Sequence, residues 1–195
     1  MPAPATNVVP LRPDRDRQEL VERLREADPA AITAVYRLHH AEVRAFARRM
    51  LGDVGAAEDV VHDVFVALPD AAARFRGEAS IRTLLMSIAV NRCRRWVRGT
   101  VRRRAAMTRF GDEPVRSEST TPEAELDRRQ LAERLRVALE ALPVEQREVF
   151  VLCTVEERTS PEVGVILDIP EATVRTRLFH ARRKLREMLE PGAEP

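Results

Sequence analysis

Residues 160–189 read SPEVGVILDIPEATVRTRLFHARRKLREML, a short apolar segment followed by a turn and a longer basic segment. Apolar residues recur at three- and four-residue spacing in both segments, which is typical of helices, and Asp168-Ile169-Pro170 interrupts the pattern between them. Ser160 is placed to cap the first helix, with Pro161 in its first turn. The arrangement predicts a helix-turn-helix, a motif whose second helix enters the DNA major groove.

The second helix of this pair has two chemically different faces. Steps of four, three, four and four residues place one stripe against the protein: Val174, Leu178, Ala181, Leu185 and Leu189. The opposite face carries Ala172, Arg175, Thr176, Phe179, His180 and Arg183. An exposed phenylalanine has no use on a solvated face, whereas it can contact a thymine methyl group. The alternative is an ordinary helical hairpin whose basic face is merely hydrated.

Helical periodicity extends over almost the whole chain, and no run alternates as a strand would, so the fold class is all-α. The pattern predicts two small helical bundles: residues 17–104, and residues 123–190 with the helix-turn-helix. A flexible acidic linker at 105–122 joins them, and tails at 1–16 and 191–195 flank them, the first of them disordered. The predicted helices are Arg15–Ala27, Ala30–Leu51, Ala56–Arg74, Ser80–Arg103, Glu123–Leu142, Val144–Glu156, Pro161–Leu167 and Glu171–Leu189. Pro69 should kink or end the third of them near Leu68.

Composition excludes several classes of protein. The chain has 195 residues, 44% hydrophobic and 33% charged, which argues against wholesale disorder. No apolar run is long enough for a membrane helix or a secretory signal, so we expect a cytoplasmic protein without membrane insertion. Cys93 and Cys153 are predicted to be small apolar core residues. No phosphate loop, nucleophile elbow or zinc signature is present in the sequence, so neither an enzyme nor a cofactor is expected.

The net charge of +2 conceals a segregation of charge along the chain. Every basic residue except Lys184 is arginine, whose planar fork suits phosphate and guanine. One cationic run comprises Arg92, Arg94, Arg95, Arg98, Arg102, Arg103 and Arg104; the other comprises Arg175, Arg177, Arg182, Arg183, Lys184 and Arg186. Acidic residues predominate between them. Two cationic surfaces are therefore expected on either side of an anionic linker.

The first cationic run lies on the fourth predicted helix. The apolar arc of that helix leaves Asn91, Arg94, Arg95, Arg98 and Arg102 on the other side, a stripe that can follow a phosphate backbone. Arg92 falls within the apolar arc, where it either extends its charge to solvent or pairs with Asp59 or Asp63. The preceding loop, residues 76–80, is either a plain glycine turn or a small pocket for an unstacked nucleobase.

The order of these parts, from about Glu19 to Leu189, resembles the extracytoplasmic-function (ECF) sigma factors of bacterial RNA polymerase. The motifs similar to region 2 of that family are Leu38-His39-His40, the stretch from Gly52 to Phe65, the stretch from Phe75 to Thr83, and Ile88-Ala89-Val90-Asn91-Arg92. Those similar to region 4 are the stretch from Leu139 to Phe150, the stretch from Ile169 to Leu178, and Ala181-Arg182. Asp168 stands where the family often has glycine, and aspartate can adopt the left-handed conformation a turn needs.

The resemblance implies two DNA-binding surfaces. In region 2, the pocket loop would capture a flipped base of the minus-ten promoter element while the basic helix holds nearby backbone, through Gly77, Glu78, Ala79, Ser80, Asn91, Arg94, Arg95 and Arg98. In region 4, the minus-thirty-five element would be read by Arg175, Thr176, Phe179 and His180, with Thr173, Arg177 and Arg183 mainly on phosphates.

The resemblance also implies contacts with core RNA polymerase. A helical surface with Asp59, His62, Asp63 and Phe65 would grip the clamp helices of the largest subunit, while Val149, Phe150 and Leu152 would dock on the flap. For Asp59 and Asp63 the alternative is a solvated acidic edge. The implied function is promoter recognition and DNA melting with core polymerase, under the control of a cognate anti-sigma factor. A helix-turn-helix regulator that acts without polymerase is the rival interpretation.

Overall fold

The computed structural model describes the backbone of residues 15–75, 79–107 and 123–189, and the side chains of residues 18–75, 79–100 and 130–189. The α-helices are α1 (Arg15–Arg25), α2 (Pro29–Leu51), α3 (Val54–Arg74), α4 (Ile81–Met107), α5 (Glu123–Ala141), α6 (Val144–Phe150), α7 (Ser160–Leu167) and α8 (Glu171–Leu189). The described ranges contain no strand, which confirms the all-α prediction. Every helix in them is too short or too polar to cross a membrane.

Local chemistry explains where the first helices begin and end. The Asp28 carboxylate accepts a hydrogen bond from the backbone N–H of Ala30 at 2.8 Å, and Asp53 accepts one from Ala56 at 2.6 Å, so each aspartate caps a helix N-terminus. Gly52 ends α2 in the left-handed conformation with φ of 67°, which glycine adopts without steric cost. This Gly-Asp pair therefore turns the chain from α2 into α3.

The sequence predicts that Pro69 either kinks α3 or ends it near Leu68. Helix α3 passes through Pro69 and continues to Arg74, the end that periodicity predicts, so Pro69 does not end the helix. Proline removes the hydrogen bond to the carbonyl of Phe65 but not those of its neighbours. Leu68 and Ala72 on either side of it are fully buried, and this packing holds the helix together across the missing bond.

The predicted helix Val144–Glu156 is divided into two parts. Its first part is α6, and Val151–Val155 form a π-helical turn that is capped by Glu156 and followed by Glu157 with a positive φ of 53°. Val151 and Leu152 are completely buried at the start of the turn. A π-turn inserts one extra residue per turn, so it changes which side chains face the interior after Phe150.

The helix-turn-helix has the predicted layout with one change at its first cap. Helix α7 begins at Ser160, and Thr159 rather than Ser160 is the capping residue. The Thr159 backbone N–H donates to the Glu162 carboxylate at 2.8 Å, and this bond together with the one from the Thr159 hydroxyl lowers the pKa of Glu162. Asp168 ends α7 in the left-handed conformation with φ of 56°, as the sequence predicts for that turn.

Gly164 is required by the close approach of the turn to α7. A Cβ atom at this position would lie 2.9 Å from the Ile169 carbonyl oxygen, and backbone atoms cannot move aside easily. We expect Gly164→Ala to lower the free energy of unfolding by about 1–3 kcal/mol, as overpacking does. Gly99→Ala, whose Cβ would meet nothing within 4 Å on α4, should instead stabilise by about 0.5–1 kcal/mol. Urea unfolding measures both, and equal stability of the two variants would contradict the packing argument.

The two predicted bundles pack against one another. Helices α1–α4 form the first bundle and α5–α8 the second, but α4 contacts α6 and α7, and α2 contacts α5 and the π-helical turn. One hydrophobic core runs through both bundles, from Val21 and Phe46 to Val149, Val163 and Val174. The linker predicted at 105–122 begins as helix, because α4 continues to Met107; residues 108–122 and both tails beyond 15–189 lie outside the described residues.

The second bundle has only a small core of its own. That separate cluster consists of Ala138, Leu139, Leu142, Ala181 and Leu185, with Phe150 and Leu189 packed against it. The stripe predicted for α8 is confirmed: Val174, Ala181 and Leu185 are buried and Leu178 packs on the shared core. Most of the apolar surface of α6 and α7 is instead buried in the core shared with the first bundle.

Both cysteines are free thiols. Cys93 is fully buried in α4, and burial raises the pKa of its thiol to about 12. Cys153 is half-buried and packs against the shared core, and burial raises its thiol pKa as well. The prediction that they serve as small apolar core residues agrees with these positions, because a thiol with a raised pKa is a poor nucleophile and a poor metal ligand.

Candidate functional site

The first candidate surface is the outer face of α8. Arg175, Thr176 and Arg183 are exposed, and the Phe179 ring is 63% exposed, although large apolar side chains are usually covered. Phe179 meets the half-buried His180 ring edge to face, with 5.5 Å between centroids. Arg175 is ion-paired with Glu171 one turn earlier on the helix. The structure therefore brings these predicted residues together on one accessible face, and their contact with DNA stays a prediction.

The second candidate surface is the outer face of α4. Asn91, Arg95 and Arg98 are exposed there, as predicted. Ser80 lies just before the helix, where its hydroxyl accepts a hydrogen bond from the Thr83 backbone N–H at 3.0 Å, so it caps α4. Ala79 is half-buried beside it. Gly77, Glu78 and the side chain of Arg102 lie outside the described residues.

The residues predicted to contact polymerase fall into two groups. Asp59, His62 and Asp63 are exposed on α3, whereas Val149 and Leu152 are fully buried and Phe150 is half-buried. Phe65 is also buried, and its ring meets Tyr36 edge to face with 4.9 Å between centroids. Of these seven residues, Asp59, His62 and Asp63 on α3 are therefore fully accessible to another protein.

The structure selects one of the two partners considered for Arg92. Its guanidinium lies 3.7 Å from the Asp63 carboxylate. Because both side chains are partly exposed, water screens this pair and it contributes little to stability. Asp63 therefore remains available to other cations at the surface of α3.

Glu148 connects the two candidate DNA surfaces. Arg94 of α4 donates to its carboxylate in a fork, from Nε to Oε2 at 2.8 Å and from Nη2 to Oε1 at 2.5 Å. Arg177 of α8 lies on the same carboxylate, with 3.9 Å between Nη1 and Oε1. The Glu148 side chain is completely buried, and its hydrogen bonds raise the pKa of Arg94. One buried carboxylate thus holds an arginine from each predicted DNA-binding helix.

Arg147, next to Glu148, donates hydrogen bonds to backbone carbonyls at the same junction. It is 6% exposed, and it donates to the carbonyl oxygens of Met50 at 2.6 Å, Glu140 at 2.6 Å and Leu142 at 3.3 Å. These carbonyls close α2 and α5, whose last turns have no intrahelical donors for them. Burial lowers the pKa of Arg147. The side chain therefore satisfies two helix ends at once.

A third cluster of charges surrounds Glu42 at the edge of the junction. Its carboxylate accepts hydrogen bonds from Arg82 at 2.6 Å and from Arg158 at 2.8 Å, and His39 lies 3.8 Å away. Burial acts to raise the pKa of Glu42, but the hydrogen bonds and the two arginine charges outweigh it and lower the pKa to about 2. Arg158 belongs to the second bundle, so Glu42 also links the bundles.

Acid should weaken this link in a defined pH range. The folded-state pKa of Glu42 is below its usual value near 4.5, so its contribution is complete above pH 4.5 and is lost as the pH falls toward 2. We expect the free energy of unfolding of the wild-type chain to fall more steeply over this range than that of Glu42→Gln. Urea unfolding at a series of pH values measures this. The exposed Glu26→Gln is the control, and a wild-type slope no steeper than that of Glu42→Gln would contradict the prediction.

Glu148, Arg147 and Glu42 have roles that no sequence motif predicted. The sequence carries no distinct signal for the first two, since they belong to a polar run of four residues (EQRE, residues 145–148) in which Glu145 is exposed. A buried charge requires a partner, but the run does not show which of its members is buried. The identity of the partners depends on the packing of the two bundles, which local periodicity does not determine.

Comparison with known proteins identifies both halves of the chain. The family model Sigma-70 region 2 matches residues 35–103, and the model Sigma-70, region 4 matches residues 132–185; together they span more than half of the chain. The chain is 25% identical over 182 residues to the RNA polymerase sigma-H factor of Pseudomonas aeruginosa, and 26% identical over 181 residues to the ECF RNA polymerase sigma-E factor of Escherichia coli. Each alignment covers 89% of this chain and 94% of the relative.

Solved structures with the same fold include two protein complexes. CnrH in complex with the cytosolic domain of CnrY has a TM-score of 0.64 and 24% identity, covering 91% of this chain and 99% of that one. RpoE of Bartonella quintana, in complex with the anti-sigma factor NepR, has a TM-score of 0.60 and 22% identity, covering 82% and 97%. The two region matches, in the order and position that the two bundles occupy, show that this chain belongs to the sigma-70 family of RNA polymerase sigma factors, as a member of the ECF type.

Proposed function

We propose that this chain binds core RNA polymerase in the cytoplasm, directs it to particular promoters and promotes DNA melting there. The observation that carries the proposal is the placement of two basic faces, on α4 and on α8, within the matched regions 2 and 4. An ECF sigma factor contacts two separate promoter elements, and two basic helices in separate bundles meet that requirement. The chain itself performs no reaction in this scheme; binding energy drives melting and the polymerase supplies catalysis.

In the region 4 half, the exposed face of α8 is suited to reading base edges. Arg175 offers a fork for guanine, and the exposed Phe179 ring offers apolar contact to a thymine methyl group. Thr176 and His180 lie beside them, while Thr173, Arg177 and Arg183 flank this face at positions suited to phosphates. We assign the minus-thirty-five element to this surface.

In the region 2 half, the face of α4 is suited to the minus-ten element. Asn91, Arg95 and Arg98 are exposed; the two arginine charges and the Asn91 amide can hold the phosphate backbone beside a melted base. We place Arg94 in the same set, with the loop residues Gly77, Glu78, Ala79 and Ser80 as the pocket for that base.

The exposed acidic surface of α3, with Asp59, His62 and Asp63, is our candidate contact for the polymerase clamp. Phe65 supports that surface from the core, and Val149, Phe150 and Leu152 are our candidates for the flap.

We further propose that an anti-sigma factor controls this chain. One solved structure with the same fold is the sigma factor RpoE in complex with the anti-sigma factor NepR, another is CnrH in complex with the cytosolic domain of CnrY, and both align with more than four-fifths of this chain. A protein of that class would act by covering the surfaces that bind polymerase.

The proposed function is tested with core RNA polymerase and a duplex library randomised in the two promoter elements. The library is incubated with core enzyme, with this chain, and with both, and bound DNA is sequenced. Unpaired thymines in the selected DNA are then detected by permanganate. We expect selection of two spaced elements, and unpaired thymines near the start site, only when both proteins are present. Strong selection of one operator-like site by the chain alone would favour a regulator that acts without polymerase, and would overturn the proposal.

A further inference from the structure

A cavity of about 920 Å³ opens to solvent between α4 and the segment that joins α5 to α6. Helix α4 contributes Arg95, Val97 and Arg98, and four residues between 140 and 147 complete the lining. Sites for small ligands typically enclose about 300–1,000 Å³ and combine an apolar wall with a few charged groups. The size and the lining of this cavity therefore match a small-molecule site, which the proposed function does not require.

The charges that line the cavity are mainly positive. Arg95, Arg98 and Arg147 are accompanied by one carboxylate, Glu140, so the lining has an excess of two positive charges. Glu140 already accepts a hydrogen bond from Arg136 at 2.5 Å, which offsets part of its negative charge. An excess of positive charge in a cleft concentrates anions there. The cavity therefore favours a ligand with several negative charges.

Arg147 contributes a buried charge that carbonyl oxygens bind. It is 6% exposed, and its Nη atoms donate to the carbonyls of Met50, Glu140 and Leu142. Its Nε–H is also buried, and it has no hydrogen-bond partner among the residues that the structure describes. Buried donors are nearly always paired, so an unpaired one beside a cavity marks incomplete compensation of the guanidinium. An anion in the cavity would complete that compensation.

The two other arginines are arranged to hold neighbouring phosphate groups. Arg95 and Arg98 are both exposed on α4 and are three residues apart, so they are neighbours on one face of the helix. Each guanidinium offers parallel N–H donors that match the oxygen atoms of a phosphate. Two such groups side by side suit a diphosphate or triphosphate better than a single phosphate.

The rest of the lining is apolar. Leu142 is 3% exposed, and Val97 and Val144 are partly buried beside it. An inorganic polyphosphate would leave these side chains in contact with water, whereas a ligand with a flat, weakly polar group would cover them. The cavity thus matches a molecule that joins a polyphosphate to such a group, which is the chemistry of a nucleotide.

We propose that this cavity binds a nucleoside diphosphate or triphosphate. Its phosphates bind Arg95 and Arg98 within reach of the Arg147 charge, and its base packs against Val97 and Val144. Nucleotide binding does not rest on the proposed function. Because Arg95 and Arg98 are also assigned to the minus-ten element, competition between a nucleotide and promoter DNA would follow from both proposals together.

The first test measures nucleotide binding by the free full-length chain. Fluorescence anisotropy follows ADP that carries a methylanthraniloyl group, and unlabelled ADP, GDP, pyrophosphate and adenosine are added as competitors. We expect saturable binding that ADP or GDP displaces at least about ten times more effectively than pyrophosphate or adenosine, because only a nucleotide uses both walls. Equal displacement by pyrophosphate would mean that the cavity holds an inorganic anion only, and would overturn the proposal, as would the absence of saturable binding.

The second test removes the two exposed arginines with Arg95→Gln combined with Arg98→Gln. The matched control is Arg182→Gln combined with Arg186→Gln, which removes two exposed positive charges one turn apart on α8. We expect the α4 variant to bind ADP at least about tenfold more weakly, because it loses two charge-assisted contacts. The α8 variant should stay within about twofold of the wild-type chain. Equal losses in both would show that any arginine pair suffices, and would overturn the proposal.

The third test predicts a gain of affinity. Glu140→Gln and Glu133→Gln each remove one exposed carboxylate that pairs with Arg136, but only Glu140 lines the cavity. Removal of the single negative charge in the lining should tighten ADP binding about threefold or more, and Glu133→Gln should leave it unchanged. Circular dichroism confirms that both variants fold. Equal ADP affinities for the two folded variants would contradict the assignment of the nucleotide to this cavity.

The two proposals fail in different assays. The nucleotide measurements contain neither DNA nor polymerase, so a failure there removes the nucleotide site and leaves the proposed function in place. Promoter opening with core enzyme tests that function. Failure of the wild-type chain to open any promoter, together with the expected ADP affinities of the four variants, would remove the function and leave the nucleotide site in place.

Discussion

Replacing Arg147 by methionine is expected to lower the free energy of unfolding by about 2–4 kcal/mol. The variant keeps an apolar side chain of similar length but leaves the carbonyls of Met50, Glu140 and Leu142 without their donor. A buried acceptor without a partner costs about 1–3 kcal/mol, and removal of the buried positive charge offsets part of the sum. Urea unfolding followed by circular dichroism gives the change, with the slope of the transition reporting whether both bundles still unfold together.

The matched control is Arg136→Met on the neighbouring helix α5. Arg136 makes two ion pairs, with Glu133 and Glu140, but its side chain is 40% exposed. Exposed pairs contribute at most about 1 kcal/mol, so this variant should stay within that range of the wild-type chain. A loss in Arg147→Met no larger than the loss in Arg136→Met would show that the three carbonyls find other donors, and would remove the role we give to Arg147.

The second large effect is expected from Arg175→Ala combined with Phe179→Ala on α8. Each good base contact contributes about 1–3 kcal/mol of discrimination, so loss of the arginine fork and of the exposed ring should reduce promoter selectivity about 100-fold, which corresponds to about 2.7 kcal/mol. The measurement is the ratio of affinities of the polymerase complex for the selected promoter and for one with a scrambled minus-thirty-five element, at fixed salt.

Arg186→Ala provides the control for this experiment. It removes one positive charge from the last turn of the same helix, about two turns beyond Phe179 and outside the set of residues that we assign to the minus-thirty-five element. We expect it to weaken binding to both DNAs equally. The slope of log affinity against log salt concentration should fall in magnitude by at most about one, which corresponds to the loss of one phosphate contact. A double variant that keeps the wild-type selectivity, while Arg186→Ala behaves as expected, would show that α8 does not read the minus-thirty-five element.

The helices were predictable because their periodicity and their ends are local properties. Steps of three and four apolar residues define α8, and the Gly52-Asp53 pair marks the passage from α2 to α3. The left-handed conformation of Asp168 also follows from the sequence, because aspartate adopts it more readily than most residues. The exposed Phe179 was equally predictable, since the face opposite an apolar stripe must point outward.

The errors and omissions come from interactions that are not local. Pro69 did not end α3 because packing on both sides of it outweighs one missing hydrogen bond. The π-helical turn at Val151–Val155 depends on which side chains the shared core accepts. Arg94 and Glu148 are 54 positions apart in the sequence. Local patterns within one helix therefore cannot predict their contact.

The distribution of the hydrophobic core also affects the solubility of a chain whose two bundles are no longer in contact. Once the bundles part, α7 exposes the apolar side chains with which it packs against α4, because the second bundle's own cluster is small. Patches of this kind drive self-association and attract proteases. Recombinant fragments containing only residues 123–189 should therefore precipitate more readily than the intact chain, and production of region 4 alone would require a solubilising fusion.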